Sequence, residues 1–413
     1  MAIHGIFGLI ALCGFAWLIS ENRKKVSFRM IFVGVGLQII LAASMLHLPL
    51  FKEFFLLLNK VVSILETATT AGTSFVFGYL GGGAAPFDEK TPGGGYIFAF
   101  RALPLVLVIS ALSSLFFYWG ALPVIVRGFA WVLRRTMRIG GPAGLSAAAN
   151  VFVGMVEAPL LIRPYLVKMN RSEIFIVMTA GMATVAGTVM VLYSSILSRA
   201  IPDAMGHILT ASIISAPAAI MVALIMIPET EAQTTGEVAP PVDAKSAMDA
   251  VTKGTAEGIT LLINIVAMLV VLVALVDMVN QLLGYAGSID GKPLTAQDLL
   301  GYVMAPVVWL IGVPWSEAHT AGSLMGVKTV LNEFLAYIQM AQLPEEALSP
   351  RSRLIMTYAM CGFANFGSLG IMIGGLGAMA PEKKDLIVSL GLKSIVSGTL
   401  ATLMTGAVVG MVA

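Results

Sequence analysis

This sequence predicts an all-α polytopic membrane protein: eight transmembrane helices, interfacial helices and two re-entrant hairpins in an inverted repeat. Three observations carry that expectation. Of the 413 residues, 58% are hydrophobic and only 12% charged, against about 25% charged in an ordinary soluble domain. Several apolar runs approach the roughly 20 residues that a helix needs to cross the hydrocarbon core. Two apolar regions also hold polar groups that a lipid-facing helix has no use for. The first is Asn150-Val151-Phe152-Val153-Gly154-Met155-Val156-Glu157-Ala158-Pro159, and the second runs from Gly312-Val313-Pro314-Trp315-Ser316-Glu317 to Asn332-Glu333-Phe334. A charge at the bilayer centre costs roughly 2.5–3.5 kcal/mol even on the lenient insertion scale. Broken backbone at that depth is tolerated only inside protein or against a wet cavity. Both stretches therefore read as hairpin tips facing a ligand, with Pro159 breaking the helix just after Glu157.

Taken in order, the first apolar run, Ile6 to Ser20, is followed rather than preceded by basic residues (Arg23, Lys24, Lys25, Arg29). That polarity is wrong for a secretory signal and predicts a retained span with its N-terminus outside. The second span covers Met30 to Leu48. Phe51 to Thr70 mixes Lys52, Glu53, Lys60 and Glu66 with leucines and valines, as an interfacial helix does. Gly72 to Gly95 reads as a loop and Tyr96 to Trp119 as the third span. Arg127, Arg134, Arg135 and Arg138 mark a cytoplasmic interfacial segment.

Gly144 to Tyr165 is the first hairpin, entering and leaving on the cytoplasmic side. The fourth span (Ile174 to Leu197) and the fifth (Leu209 to Ile227) follow, then a polar linker, Pro228 to Lys253. Gly258 to Leu283 is a long sixth span with the look of a scaffold. The second irregular region comes next, with Trp315 and His319 beside its tip as packing residues. The seventh span, Leu354 to Met379, is interrupted by Cys361-Gly362-Phe363-Ala364-Asn365-Phe366-Gly367-Ser368, and Ile387 to Val412 is the eighth.

Gly154 with Glu157-Ala158 matches Gly312 with Glu317-Ala318, and Gly181-Met182-Ala183-Thr184 matches Gly362-Phe363-Ala364-Asn365. A hairpin and two spans return to their starting side, so the single intervening span inverts the second unit, the plan of secondary transporters. The implied divisions are residues 1–140 (scaffold spans and interfacial helices), 141–228 (first transport repeat), 229–292 (linker and long scaffold span) and 293–413 (second transport repeat). The net charge of +2 comes from cations in short loops and points to no nucleic acid. Cys13 and Cys361 lie in apolar runs and suggest neither a disulfide framework nor a metal cluster.

Glu157 and Glu333 are the sharpest chemical signals: paired membrane carboxylates offer acceptors for hydroxyl groups, or a proton site. Lys328 is a candidate structural partner for Glu333. Asn365 and Ser368, three apart on the broken seventh span, add neutral hydrogen-bonding groups. Asn150 and Thr184, with unwound carbonyls, make a hard-oxygen set suited to Na⁺. An intramembrane enzyme is the rival from another class. No H-E-x-x-H and no serine–histidine arrangement supports it. Two inverted broken units suit alternating access better than a channel.

Along nearly its whole length the sequence resembles the concentrative nucleoside transporter family. The resemblance is carried by Gly93-Gly94-Gly95-Tyr96-Ile97-Phe98-Ala99-Phe100-Arg101, Ala147-Ala148-Ala149-Asn150-Val151-Phe152-Val153-Gly154, Glu157-Ala158-Pro159, Gly312 to Glu317, Thr329-Val330-Leu331-Asn332-Glu333-Phe334 and Cys361 to Asn365. It implies a homotrimer in which each protomer moves its own transport domain against a scaffold that includes the sixth span. It further implies Na⁺-coupled import of nucleosides across a cell membrane (a bacterial cytoplasmic membrane), with both termini outside and H⁺ coupling as the alternative. By position, Glu333, Asn365 and Ser368 would hold the ribose, Glu157 the base, and Val189 and Phe363 the apolar walls. Asn150, Val153, Thr184 and Val185 would hold the ion, with Val153 and Val185 acting through carbonyls. Met155-Val156 departs from the family, where glutamine followed by threonine or serine is common at the base, and this puts the usual base preference in question.

Overall fold

The structure, a computed structural model, describes residues 2–87, 96–198, 201–234, 244–289 and 292–413; the Gly93–Gly95 part of the family motif lies outside them. It is nearly all helix. The chain opens with α1 (Ala2–Leu18), α2 (Phe28–His47), α3 (Pro49–Phe77), α4 (Phe98–Arg101), α5 (Leu105–Tyr118) and α6 (Ala121–Met137). A first hairpin follows, made of α7 (Gly141–Ala149), α8 (Glu157–Leu160) and α9 (Arg163–Leu166). Then come α10 (Arg171–Ala183), α11 (Gly187–Leu197), α12 (Ala204–Met226) and the 40-residue α13 (Ala247–Ala286). A two-residue antiparallel pair, β1 (Ser288–Ile289) with β2 (Lys292–Pro293), leads to α14 (Ala296–Leu310), α15 (Trp315–Val330) and α16 (Glu333–Gln342). The chain closes with α17 (Pro350–Met360), α18 (Phe366–Met379) and α19 (Lys384–Val412).

Local sequence explains most of the boundaries. Asn170 caps α10 in a capping box: its side chain accepts from Glu173 N–H at 2.9 Å, and Asn170 N–H donates to the Glu173 carboxylate at 3.1 Å. Thr295 and Asp298 repeat the device at α14, and Ser246 caps α13. Pro142 and Pro350 sit in the first turns of α7 and α17, where the missing N–H would have had no intrahelical partner.

Among the described residues, seven stretches are long and apolar enough to cross a membrane, or eight if the bent pair α14/α15 counts as one span. That set differs from the expected eight in two ways. It includes α3, expected to lie along the interface and to end near Thr70. Instead α3 runs through Gly72 to Phe77, where Gly78 at φ +59° ends it. It leaves out α1, which is short, and α17 with α18, whose break and arginines dilute the apolar content.

The protein core lies in the two repeat units. In α10/α11 and in α12, 89% of the most apolar window is buried, whereas in α13 none is. At 1.5 Å per residue α13 is ~60 Å long, and it packs chiefly on α5. The expected division at residue 140 does not follow the packing. α1 lies on α19 and α2 on α12, so both side with the repeats, and of the N-terminal helices it is α5 that accompanies α13.

The second turning point also differs from expectation. Gly312, at φ +109°, turns the chain by 117° between α14 and α15, and Arg351 Nη1 donates to its carbonyl at 2.8 Å. This turn is the counterpart of Arg138 (φ 51°) between α6 and α7, not of the first hairpin tip. The tip that matches Asn150–Val156 is Leu331–Asn332, between α15 and α16. Accordingly Glu317 does not pair with Glu157 in role: its carboxylate accepts from Ser349 N–H and Oγ–H, both at 3.1 Å, at the start of α17. Trp315 is 63% exposed against Trp309, and His319 lies 4.4 Å from the Tyr302 ring. Glycine plus proline marks a turn, but only tertiary packing decides which turn faces a ligand.

Candidate functional site

Four breaks meet at the centre of the molecule. The first hairpin unwinds over Asn150–Val156, and α8 restarts at Glu157. Pro159 thus lies inside the first turn of α8 and does not end a helix. The fourth span is itself broken between α10 and α11 at Thr184–Ala186, which its apolar composition concealed. The second hairpin breaks at Leu331–Asn332 and the seventh span at Cys361–Asn365. The spans touch at their breaks: a Cβ on Gly362 would stand 2.8 Å from the Met182 carbonyl oxygen and 3.0 Å from the Ala183 carbonyl carbon. Glycine is required there because two backbones meet.

A cavity of about 480 Å³ opens at this crossing, a size suited to a small organic molecule. Met155, Val156, Glu157, Val189, Glu333, Phe363, Asn365 and Ser368 all line it. Glu333, at the first position of α16, is 3% exposed. Tyr193 Oη donates to its Oε1 at 2.6 Å and Asn365 Nδ2 to its Oε2 at 3.0 Å. Asn365 also caps α18, its Oδ1 accepting from Ser368 N–H at 2.8 Å. The N-termini of α16 and α18 thus converge on one carboxylate. The Ser368 hydroxyl makes no hydrogen bond among the described residues.

Glu157 is exposed to the cavity and curls over Gly154, where any side chain would collide with its carboxylate. Met155 and Val156 also line the cavity and pack against Gly181 and Gly375 respectively. Lys328, one turn before the second tip, is fully buried. Its Nζ has no hydrogen-bond partner, and no ion pair joins it to Glu333 among the described residues.

The ion-site candidates lie behind the cavity rather than in its lining. Asn150, Thr184 and Val185 are 1%, 1% and 0% exposed, and Val153 is half-buried. Thr184 Oγ1 lies 3.1 Å from the Asn150 carbonyl oxygen and 2.8 Å from that of Ala180. Gly187 N–H donates to the Phe152 carbonyl at 3.1 Å, tying one unwound segment to the other. Asn150 Nδ2 donates to the Ser146 carbonyl at 3.1 Å, while Asn150 Oδ1 is buried without a partner among the described residues. An orphaned buried acceptor beside a hydroxyl and unwound carbonyls fits a hard monovalent cation.

Sequence reasoning missed Tyr193 and three residues of α13, Glu257, Thr260 and Asn264, all of which line the cavity. Tyr193 sits in an apolar run and reads as core. The α13 residues were legible as a 257/260/264 spacing, but that spacing gains meaning only once a cavity lies beside it.

Comparison with known proteins agrees with this arrangement. Residues 207–410 match the family model described as Na⁺ dependent nucleoside transporter C-terminus, residues 7–80 its N-terminus, and residues 99–200 a nucleoside recognition (gate) model. The nucleoside permease NupC of Helicobacter pylori is 34% identical over 99% of this chain and 97% of its own length. Human solute carrier family 28 member 3 is 35% identical over 98% of this chain and 59% of its own length. The structure of CNTnw in an inward-facing substrate-bound state superposes with a TM-score of 0.90 at 34% identity, covering 100% of this chain and 98% of that one. A variant of the same protein in an outward-facing state also gives 0.90. These are transporters rather than enzymes, and this chain belongs to the concentrative nucleoside transporter family.

Proposed function

We propose that this protein is a Na⁺-coupled symporter that imports nucleosides or close analogues by an elevator-type alternating-access movement. The observation that carries the reading is Glu333, buried at the crossing with one oxygen on Tyr193 and the other on Asn365. A carboxylate held this way is preorganised to accept hydrogen bonds from vicinal hydroxyls without having to be desolvated when the ligand arrives. In this reading Glu333, Asn365 and Ser368 take the ribose, Glu157 meets the base beside Met155 and Val156, and Val189 and Phe363 form the apolar walls.

Asn150 and Thr184 would hold Na⁺ with carbonyls of the unwound segments, Val153 and Val185 among them. A bound cation there supplies the positive charge that satisfies Asn150 Oδ1 and stiffens both unwound stretches. The packing supports a moving body made of the two repeats with α1 and α2, and a static one containing α5 and α13. The exposed apolar face of α13, including Val270, Val271 and Leu275, suits lipid or the neighbouring protomers of a homotrimer. A bacterial cytoplasmic membrane with both termini outside completes the proposal.

Uptake of labelled nucleoside into proteoliposomes tests it. Each Na⁺ moved inward is driven by its concentration gradient and by a further ~2.3 kcal/mol per 100 mV of inside-negative potential, so replacing Na⁺ by choline at constant pH should abolish accumulation. Accumulation that persists in choline and follows a proton gradient would replace Na⁺ by H⁺ as the coupling ion.

A further inference from the structure

The polar wall of the cavity continues onto α13, and this bears on which nucleosides the site takes. Most of α13 is apolar, yet Glu257, Thr260 and Asn264 line the cavity. Their spacing of three and four residues puts them on one face of the helix. Ionisable and amide groups on a membrane-crossing helix are expensive, and they persist where they face a wet path or a ligand. Neither the Glu257 carboxylate nor the Asn264 amide makes a hydrogen bond among the described residues. The Thr260 hydroxyl donates to the Ala256 carbonyl at 3.2 Å, so towards the cavity it offers lone pairs.

The opposite wall lacks what this one offers. Met155 and Val156 present no donor or acceptor to a base. Glu157 is a second carboxylate in the lining, and no lysine, arginine or histidine lines the cavity among the described residues. The charged groups of the lining are therefore all acceptors, and its donors are neutral amides and hydroxyls such as those of Asn264, Asn332 and Ser368.

Building on the nucleoside-transport reading, we propose that Glu257, seconded by Asn264 and Thr260, is the specificity-determining contact for the base, and that the site favours bases bearing an exocyclic amino group. An ionised carboxylate only accepts hydrogen bonds, and an amino group supplies donors to it. A keto oxygen in the same place offers the carboxylate no donor, and a site built to hydrogen-bond one group rejects the analogue lacking it. Base recognition thus passes from the hairpin tip, where Met155 and Val156 cannot supply it, to the static helix across the cavity.

Equilibrium competition binding to the purified full-length protein decides the matter, using pairs that share the ribose and differ only at one exocyclic group and the protonation of the ring nitrogen beside it: cytidine against uridine, and adenosine against inosine. The amino-bearing member of each pair should bind roughly tenfold more tightly, the lower range for a hydrogen bond to a charged group. In Glu257→Gln, whose amide pairs with either edge, both ratios should fall to within about threefold of unity, whereas Asn264→Ala, which removes an amide that serves either edge, should weaken both members of a pair and leave the ratios close to the parent's. Elution volume and melting temperature matching the parent establish that the variants are folded. Ratios unchanged in folded Glu257→Gln, or a parent without amino preference, overturn the assignment to α13 while leaving nucleoside transport in place. A parent that binds none of the four nucleosides overturns both.

Discussion

The two halves of the crossing use the same break in a helix for different chemistry. In the first unit the chain unwinds at Asn150–Val156 and Thr184–Ala186, and what it gathers is neutral oxygen: carbonyls, the Thr184 hydroxyl and the unpartnered Asn150 Oδ1. In the second it unwinds at Leu331–Asn332 and Cys361–Asn365, and what it gathers is one carboxylate with both oxygens already engaged. The tips differ in the same sense. Glu157 is exposed and makes no hydrogen bond among the described residues, whereas Glu333 is buried and held. Inverted topology therefore supplies two similar frames, and side chains decide that one suits an ion and the other a polar organic ligand.

Removing the second unit's charge is the severest way to test that division. Glu333→Gln loses charge-assisted hydrogen bonds of about 1.5–3 kcal/mol, so nucleoside affinity should fall roughly 10- to 150-fold. Na⁺ dependence of the remaining binding should be kept. Isothermal titration at saturating and zero Na⁺ separates the two effects, and unchanged affinity would place the sugar elsewhere.

Disabling the first unit should do the converse. Thr184→Val keeps volume and removes the hydroxyl, a loss of about 1 kcal/mol or more from an ion site. The Na⁺ concentration for half-maximal uptake should rise about fivefold or more, while affinity at saturating Na⁺ changes little. A Na⁺ titration of uptake that superimposes on the parent's would remove Thr184 from the ion site.

A gentler probe targets the first tip. Met155→Gln with Val156→Thr restores polar groups beside Glu157, and because apolar shape differences give only about 1–3 kcal/mol of discrimination, selectivity should move several-fold towards ordinary pyrimidine nucleosides. Superimposable competition profiles for parent and double variant would mean that these positions only pack the hairpin.

The smallest effect is expected away from both tips. Glu21, in the loop after α1, pairs with Arg171 at 2.8 Å and with Lys393 at 2.5 Å. The Arg171 hydrogen bond foremost, aided by Lys393 and opposed by burial, draws its carboxyl from 4.5 down to about 2. The stabilisation is present above the unfolded value and is lost as pH falls through the folded one. Because the side chains are 30–43% exposed, each pair is worth only about 0.2–1 kcal/mol. The melting temperature of Glu21→Gln should lie about 1–2 °C below the parent's at pH 6, with the gap closing towards pH 2. A gap independent of pH would mean that the ion pairs contribute nothing to stability.

How much of this was legible beforehand depends on how far each feature reaches along the chain. α2, α12, α13 and α19 follow from unbroken apolar runs, and Glu157, Glu333 and Asn365 stand out because lipid tolerates them so poorly. The break at Thr184–Ala186 was hidden because threonine, valine and alanine are as ordinary in a helix as in an unwound turn. Gly312–Pro314 was misplaced as a tip because composition marks a bend without saying what the bend faces. Tyr193 could not be found at all, since its role is a contact across 140 residues of sequence.

The missing Cβ at Gly362 has a mechanical consequence. Because that residue rests against the backbone of Met182 and Ala183, the unwound stretch beneath the proposed ion site and the one that carries Asn365 are interlocked, and neither can rewind or shift without displacing the other. Order imposed on one is felt by the other through hard contact over a few ångströms. Cooperativity between the two ligands would then need no relay through the protein: it would be the stiffness of a single joint, and even one methyl group at position 362 should loosen it.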